Sequence, residues 1–307
     1  MLICDCHADT LYALANGSAP DSCDVTYDRL MAGGHTRVQA LALWTGVHGL
    51  KREDEGLTER ELAQLERLKA QGFRQITRVE DALPDAPNAL LTVEGGEVFG
   101  QDVERVDAFV DLGVRIAALL WNNVNPIGFP ACGGSDEGLT DFGRRVVARM
   151  NRRHMAVDVS HLNDAGVRDA LSCGAAPLMA THSCCRALCP HPRNLTDDQL
   201  KAIFAGGGFV GVNFYPSFLS PDGKASIDTV IDHMDRMTAL GGEGHIGLGS
   251  DFDGIETHPA GLRHAGDVPA LLARLRERGY TQTDVENIAG LNFKRFMQRI
   301  DASNKTA

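Results

Sequence analysis

The sequence predicts an α/β chain folded as one (β/α)8 TIM-like barrel, and three observations predict it. Short apolar runs alternate with amphipathic helical stretches from end to end, which calls for a parallel sheet with helical crossovers. Eight such runs occur, a number that favours a closed barrel over an open doubly wound sheet. No linker, repeat or composition break divides the 307 residues, so residues 1–307 read as a single domain. No Gly-x-Gly-x-x-Gly follows a strand, which leaves a dinucleotide site without support.

The strand candidates are Leu2–Asp9, Arg37–Trp44, Ala89–Glu94, Val114–Leu120, Met155–His161, Pro177–His182, Gly208–Phe214 and His245–Asp251. Most are near-continuous apolar runs, the pattern of parallel strands covered on both faces. Between them, Thr58-x-x-Glu61, Thr196-x-x-Gln199 and Thr283-x-x-Glu286 read as capping boxes that open helices. Gly113, Gly174, Gly206 and Gly241 read as helix stops. Two longer loops, Asn122–Gly138 and Phe214–Ile227, follow barrel strands and are placed over the catalytic face.

The formal charge of −11, from 41 acidic and 30 basic residues, argues against a nucleic-acid partner. No stretch approaches the roughly 18 apolar residues of a membrane span. The N-terminus lacks the features of an export signal, and the C-terminal Asn304–Ala307 is polar, so the expectation is a cytoplasmic protein with no membrane partner. Eight scattered cysteines without Cys-x-x-Cys pairs read as reduced, mostly buried thiols.

The residues capable of metal binding or acid–base chemistry fall at the C-terminal ends of these strands, where barrels of this class place their sites. Strand one ends in His7-Ala-Asp9, whose alternate side chains share a side. Strand three ends at Glu94, before Gly95-Gly96; strand five ends in Asp158-Val-Ser-His161; strand six in Thr181-His182; strand eight in Gly249-Ser-Asp251-Phe-Asp253. Singly, a His-x-Asp pair can tether a turn, His161 and His182 can be core histidines, and Glu94 can cap a helix. Jointly, three His, one Asp and one Glu at four strand ends suit two zinc-like ions bridged by Glu94. Two ions about 3.5–4 Å apart hold a hydroxide between them and polarise a carbonyl. His35, His48, His154, His233, His245, His258 and His264 read as surface or structural, and His191 draws interest only beside Arg193.

With these motifs in place, the chain resembles the membrane (renal) dipeptidase family of binuclear zinc metallopeptidases, in the amidohydrolase-like barrel class. The resemblance rests on Cys6-His-Ala-Asp-Thr10, Val93-Glu-Gly-Gly96, Val157-Asp-Val-Ser-His-Leu162, Thr181-His-Ser183, Arg186–Asp198, Gly211–Pro216 and Gly247–Gly254. It implies that His7, Asp9 and Glu94 hold one ion and Glu94, His161 and His182 the other. It further implies Asp251 as proton shuttle, Arg193 on the terminal carboxylate of a small dipeptide substrate, and a homodimer. Asp253 is the less favoured shuttle and reads as supporting the ligands from behind or as structural, and Tyr215 reads as pocket lining or core. Arg193 has a surface pair with Asp197 or Asp198 as its alternative. Where well-known members carry a histidine at the substrate carbonyl, this chain has Trp121, which can donate an N–H but cannot move a proton. Oxyanion stabilisation then rests more on metal, or on Asn122 or Asn123. The implied activity is dipeptide hydrolysis through a metal-bridging hydroxide. The alternative is a metal-dependent amidohydrolase acting on N-acyl amino acids or other small amides.

Overall fold

In a computed structural model, residues 1–45, 56–174 and 176–303 are described, so His48 and Asn304–Ala307 lie outside the described residues. The strands are β1 (Leu2–Asp5), β2 (Thr36–Trp44), β3 (Arg74–Ile76), β4 (Asn88–Glu94), β5 (Ile116–Ala118), β6 (Ala156–Asp158), β7 (Met179–Ser183), β8 (Phe209–Val212) and β9 (Ile246–Leu248). All pair in parallel, and pairing of β2 with β4 closes the ring β1-β2-β4-β5-β6-β7-β8-β9. The expected eight-stranded barrel is therefore present, with helices between its strands. Unanticipated β3 lies outside the ring. It pairs with Asn88–Leu90 of β4, while β5 takes Thr92–Glu94 on the same strand, so β3 fills the edge that short β5 leaves bare.

Several strands are shorter than their apolar runs. The β1 run was expected to reach Asp9, yet the regular ladder stops at Asp5. Beyond it, Cys6 N–H donates to the Leu248 carbonyl, Asp9 N–H to the Phe252 carbonyl, and Asp251 N–H to the His7 carbonyl. The tails that carry chemistry are thus tied to neighbours without belonging to the flat ladder. Gly211 and Gly249 permit close packing below the site, since a Cβ at either would lie 2.2 or 1.8 Å from the Thr181 carbonyl oxygen.

Alternation along the strands sorts two buried layers. Ile3, Leu41, Leu43, Leu91 and Val93 pack into the large cluster shared with the helices. Cys4, Val38, Leu90, Ile116, Ala156, Met179 and Phe209 point the other way and meet Phe293, Phe296 and Met297. Those three aromatic and thioether side chains belong to the last helix, Asn292–Ala302, which seals the N-terminal end of the barrel. Its seal is reinforced by Arg115 pairing with Asp301 and by Arg299 Nε donating to the Gly207 carbonyl.

The Thr196–Gln199 capping box forms as expected. The other two shift: helix Leu57–Ala70 is capped by Gly56 rather than Thr58, and the box near 283 is made by Thr281 and Asp284. The cysteines are free, and most are buried. No helix among the described residues is long and apolar enough to cross a membrane.

Candidate metal centre

Five side chains converge at the C-terminal mouth of the barrel. Glu94 ends β4, His182 lies in β7, and His7, Asp9 and His161 sit just past β1 and β6. His161 Nε2 lies 2.8 Å from Glu94 Oε1 and 3.0 Å from His182 Nε2, and His182 Nε2 is 3.4 Å from the same oxygen. His7 Nε2 is 3.4 Å from Asp9 Oδ2 and 3.7 Å from Glu94 Oε1. Three trios lie within reach of one ion each: His7–Asp9–Glu94 and Glu94–His161–His182, which share Glu94, and His7–His182–Asp251.

The donor atoms suit cations better than one another. His7 Nε2 and Asp9 Oδ1 are buried without a hydrogen-bond partner. His161 and His182 aim Nε2 atoms at each other, and such a pair can share only one proton. Burial pushes both imidazoles well below their usual range, reinforced by Arg193 at His161 and by His7 at His182. Both are therefore held neutral, the form that ligates metal. Burial pushes Glu94 well above the carboxylate range, with Asp9 adding to it. At His7, burial lowers the pKa, but Glu94 and Asp9 outweigh it and raise it to about 10. Ions set among these groups would relieve this crowding of buried carboxylates.

A second set of contacts orients the imidazoles. His182 Nδ1–H donates to Thr181 Oγ1 at 2.8 Å, and that hydroxyl donates to Asp158. Asp158 also accepts the Thr181 N–H at 3.0 Å and the Ser160 N–H at 2.8 Å, linking the two histidine strands. His161 Nδ1 meets Asn122 Oδ1 at 2.9 Å. Each outer contact leaves Nε2 with its lone pair facing the cluster. His161 and Asp251 both adopt left-handed backbone, at φ 71° and 64°, a conformation rare outside glycine that accumulates at functional sites. Asp158→Asn is expected to weaken metal affinity about 10- to 100-fold, measured by chelator competition, because loss of an outer partner loosens its ligand. Unchanged affinity would assign Asp158 to the strand connection alone.

Asp251, outside the five predicted ligands, has Oδ1 3.7 Å from His7 Nε2. Its Oδ2 accepts from Asn213 Nδ2 at 2.9 Å. Burial raises its carboxyl to about 6, with His7 opposing. Asp253 lines the same cavity and is tied into the fold: it accepts from Thr10 Oγ1 at 2.6 Å and from the Asp24 and Val25 backbone N–H groups. Gly254 admits the carboxylates, since a Cβ there would fall 2.1 Å from Asp9 Oδ2 and 2.9 Å from Asp251 Oδ1.

Arg193 is only 4% exposed. Its Nη2 reaches the His182 carbonyl at 3.5 Å, its guanidinium lies 5.5 Å from the Phe218 ring centre, and its Nε has no partner. The surface-pair alternative fails, because Asp197 pairs with Arg236 and Asp198 with Lys201. Asn194 Nδ2 fastens the loop to the Cys189 and Phe218 carbonyls at 2.9 and 2.8 Å. His233 is structural and fully buried: Nδ1 accepts the Cys185 N–H at 3.0 Å and Nε2 meets the Leu219 carbonyl at 2.9 Å.

All of this opens into a cavity of about 440 Å³, lined by Asp9, Glu94, His161, Arg193 and Asp251, and also by Trp121, Asn122 and Tyr215. Asn123 is not among its lining residues, and the Asn122 carbonyl is engaged by His161. Sequence reasoning missed Asn213 as the partner of Asp251, Asn122 as the partner of His161, and the Thr181–Asp158 relay. Asn213 did lie in the quoted Gly211–Pro216 motif, the one signal that marked it.

The family described as membrane dipeptidase, peptidase family M19, matches residues 1–307. An uncharacterized protein in the pqqA 5′ region of Klebsiella pneumoniae is 38% identical over 218 residues, covering 68% of this chain and 80% of that protein. An uncharacterized dipeptidase of Schizosaccharomyces pombe is 39% identical over 219 residues, covering 70% of this chain; the chain spans only 54% of that longer protein. Among solved structures, a metallopeptidase from Rhodobacter sphaeroides, liganded with a phosphinate mimic of the dipeptide L-Ala-D-Ala, superposes with a TM-score of 0.89 at 27% identity. That match covers 98% of this chain and 99% of the other.

Proposed function

This chain belongs to the membrane dipeptidase family, and on that premise we propose that it hydrolyses the peptide bond of dipeptides with two divalent cations. His7, Asp9 and Glu94 would hold one ion and Glu94, His161 and His182 the other, a nitrogen and carboxylate set suited to zinc. The observation that carries the proposal is one cavity lined both by Asp9, Glu94 and His161 of the donor cluster and by a buried guanidinium. A dipeptide presents a scissile carbonyl and a free carboxylate one residue apart, matching those two features. The dipeptide mimic held by the Rhodobacter sphaeroides relative supports this substrate class.

The ions would supply an activated water and a Lewis acid at the carbonyl oxygen. Asp251 accepts the proton of the attacking water through Oδ1, while Asn213 holds Oδ2 in place. As the carbon–nitrogen bond breaks, Asp251 returns that proton to the leaving amine, acting first as base and then as acid. Arg193 fixes the substrate carboxylate with its planar fork of donors.

Metal-loaded enzyme is expected to hydrolyse dipeptides in a panel that also contains N-acyl amino acids and other small amides. Turnover confined to the acylated compounds would replace the proposal with the amidohydrolase alternative. Arg193→Met is expected to lower kcat/KM for dipeptides roughly 10²–10³-fold, as loss of one partner of a buried charge pair does. The same variant should match the parent on dipeptide amides, which lack the carboxylate. Equal losses on both substrates would remove Arg193 from carboxylate recognition.

A further inference from the structure

Order around the barrel fixes which way a substrate lies. In the ring β1-β2-β4-β5-β6-β7-β8-β9, β7 stands four places from β2, directly across the mouth. The loop after β7 carries Arg193, and the segment after β8 carries Tyr215 and Phe218 beside it. The opposite arc carries three aromatic side chains: Tyr12 past β1, Trp44 at the end of β2 and Trp121 past β5. They meet edge to face, Tyr12 on Trp44 at 4.5 Å and 62° and Trp44 on Trp121 at 5.0 Å and 87°. Trp121 continues to the His161 ring at 6.3 Å. All three line the cavity, so the mouth has a cationic side and an aromatic side with the donor cluster between them.

We infer that the Tyr12–Trp44–Trp121 wall is the side-chain subsite for the N-terminal residue of the substrate and selects bulky apolar side chains there. The inference rests on the dipeptidase proposal. With the terminal carboxylate at Arg193 and the scissile carbonyl at the cluster, a two-residue chain directs its N-terminal side chain to the far arc. That arc offers ring faces and edges, which reward apolar burial, and the carboxylates of Asp9, Asp253 and Glu256 in the same cavity repel an aspartate side chain. Edge-to-face packing holds each ring against the next, so the wall is preformed rather than assembled by the substrate. Trp121 is the decisive member, because it joins the wall to the His161 ring.

The test compares kcat/KM for Phe-Ala, Leu-Ala, Gly-Ala and Asp-Ala on zinc-loaded enzyme, with Ala-Phe reporting the other position. Phe-Ala and Leu-Ala are expected to exceed Gly-Ala by roughly 10- to 100-fold, the discrimination an apolar pocket gives for a buried side chain. Asp-Ala should fall below Gly-Ala. Trp121→Ala is expected to cut the Phe-Ala to Gly-Ala ratio about tenfold, and Trp121→Phe to retain most of it. Each ratio is taken within one variant, so partial loss of fold or metal cancels. Tyr12→Ala provides a second reading from the other end of the wall. A parent ratio near one, a preference that follows the C-terminal residue, or a ratio unmoved in both alanine variants would overturn the inference. Inactivity on every dipeptide would instead overturn the dipeptidase proposal, and the wall would then be read with N-phenylacetylglycine against N-acetylglycine.

Discussion

Asp251→Asn is expected to lower kcat by about 10²–10⁴-fold while the protein keeps its full complement of metal. The amide that replaces the carboxylate can still meet Asn213 and fill the same space, so the left-handed turn at 251 and the neighbouring ligands should persist. What it cannot do is take a proton from water and return it to an amine. The measurement pairs steady-state kinetics with elemental analysis of protein purified without chelator. Asp251 lies within ligating distance of His7 and His182, so metal content decides between two roles. Loss of an ion in the variant would make Asp251 a ligand, and a near-normal rate would remove it from proton transfer.

Glu94→Gln should be more damaging still, taking activity to background and metal content well below two ions per chain. Glu94 belongs to both of the trios proposed to hold ions, so one substitution strikes both sites. The glutamine must also choose which atom faces His161 and His182, whose Nε2 atoms lie 2.8 and 3.4 Å from Oε1. Its NH2 would present protons where the imidazoles offer lone pairs, and its oxygen carries no full charge to balance two cations. Elemental analysis with added zinc checks this. A variant that binds two ions normally would show that Glu94 does not join the two sites.

How much of this was legible in the sequence follows from what each residue does. Ligand-type residues at the ends of apolar runs could be seen, because strand burial writes itself as continuous hydrophobicity and the site interrupts it. The eight barrel strands were legible for the same reason. Strand β3 was not: Arg74-Gln-Ile76 has neither length nor apolar character, and it forms only because β5 leaves part of β4 exposed. Where strands end was equally hidden, since apolar burial continues past the last ladder bond, as in Cys6 and Ala8. The residues that hold the site in register were the hardest to find. Asn122, Asn213 and Thr181 act through partners 39, 38 and 23 positions away, and no spacing in the sequence ties either member to the other. Trp44 read only as a strand terminus, and barrel closure turned it into a cavity wall.

The helix that seals the barrel imposes an order on synthesis. His7 and Asp9 leave the ribosome first, yet their strand β1 pairs with β9, and the lower mouth waits for Phe293, Phe296 and Met297. A nascent chain that has just released the last donor, His182, still lacks β8, β9 and the sealing helix. Domains of this kind fold as units, so the five donors come together only once β9 and the sealing helix have been made.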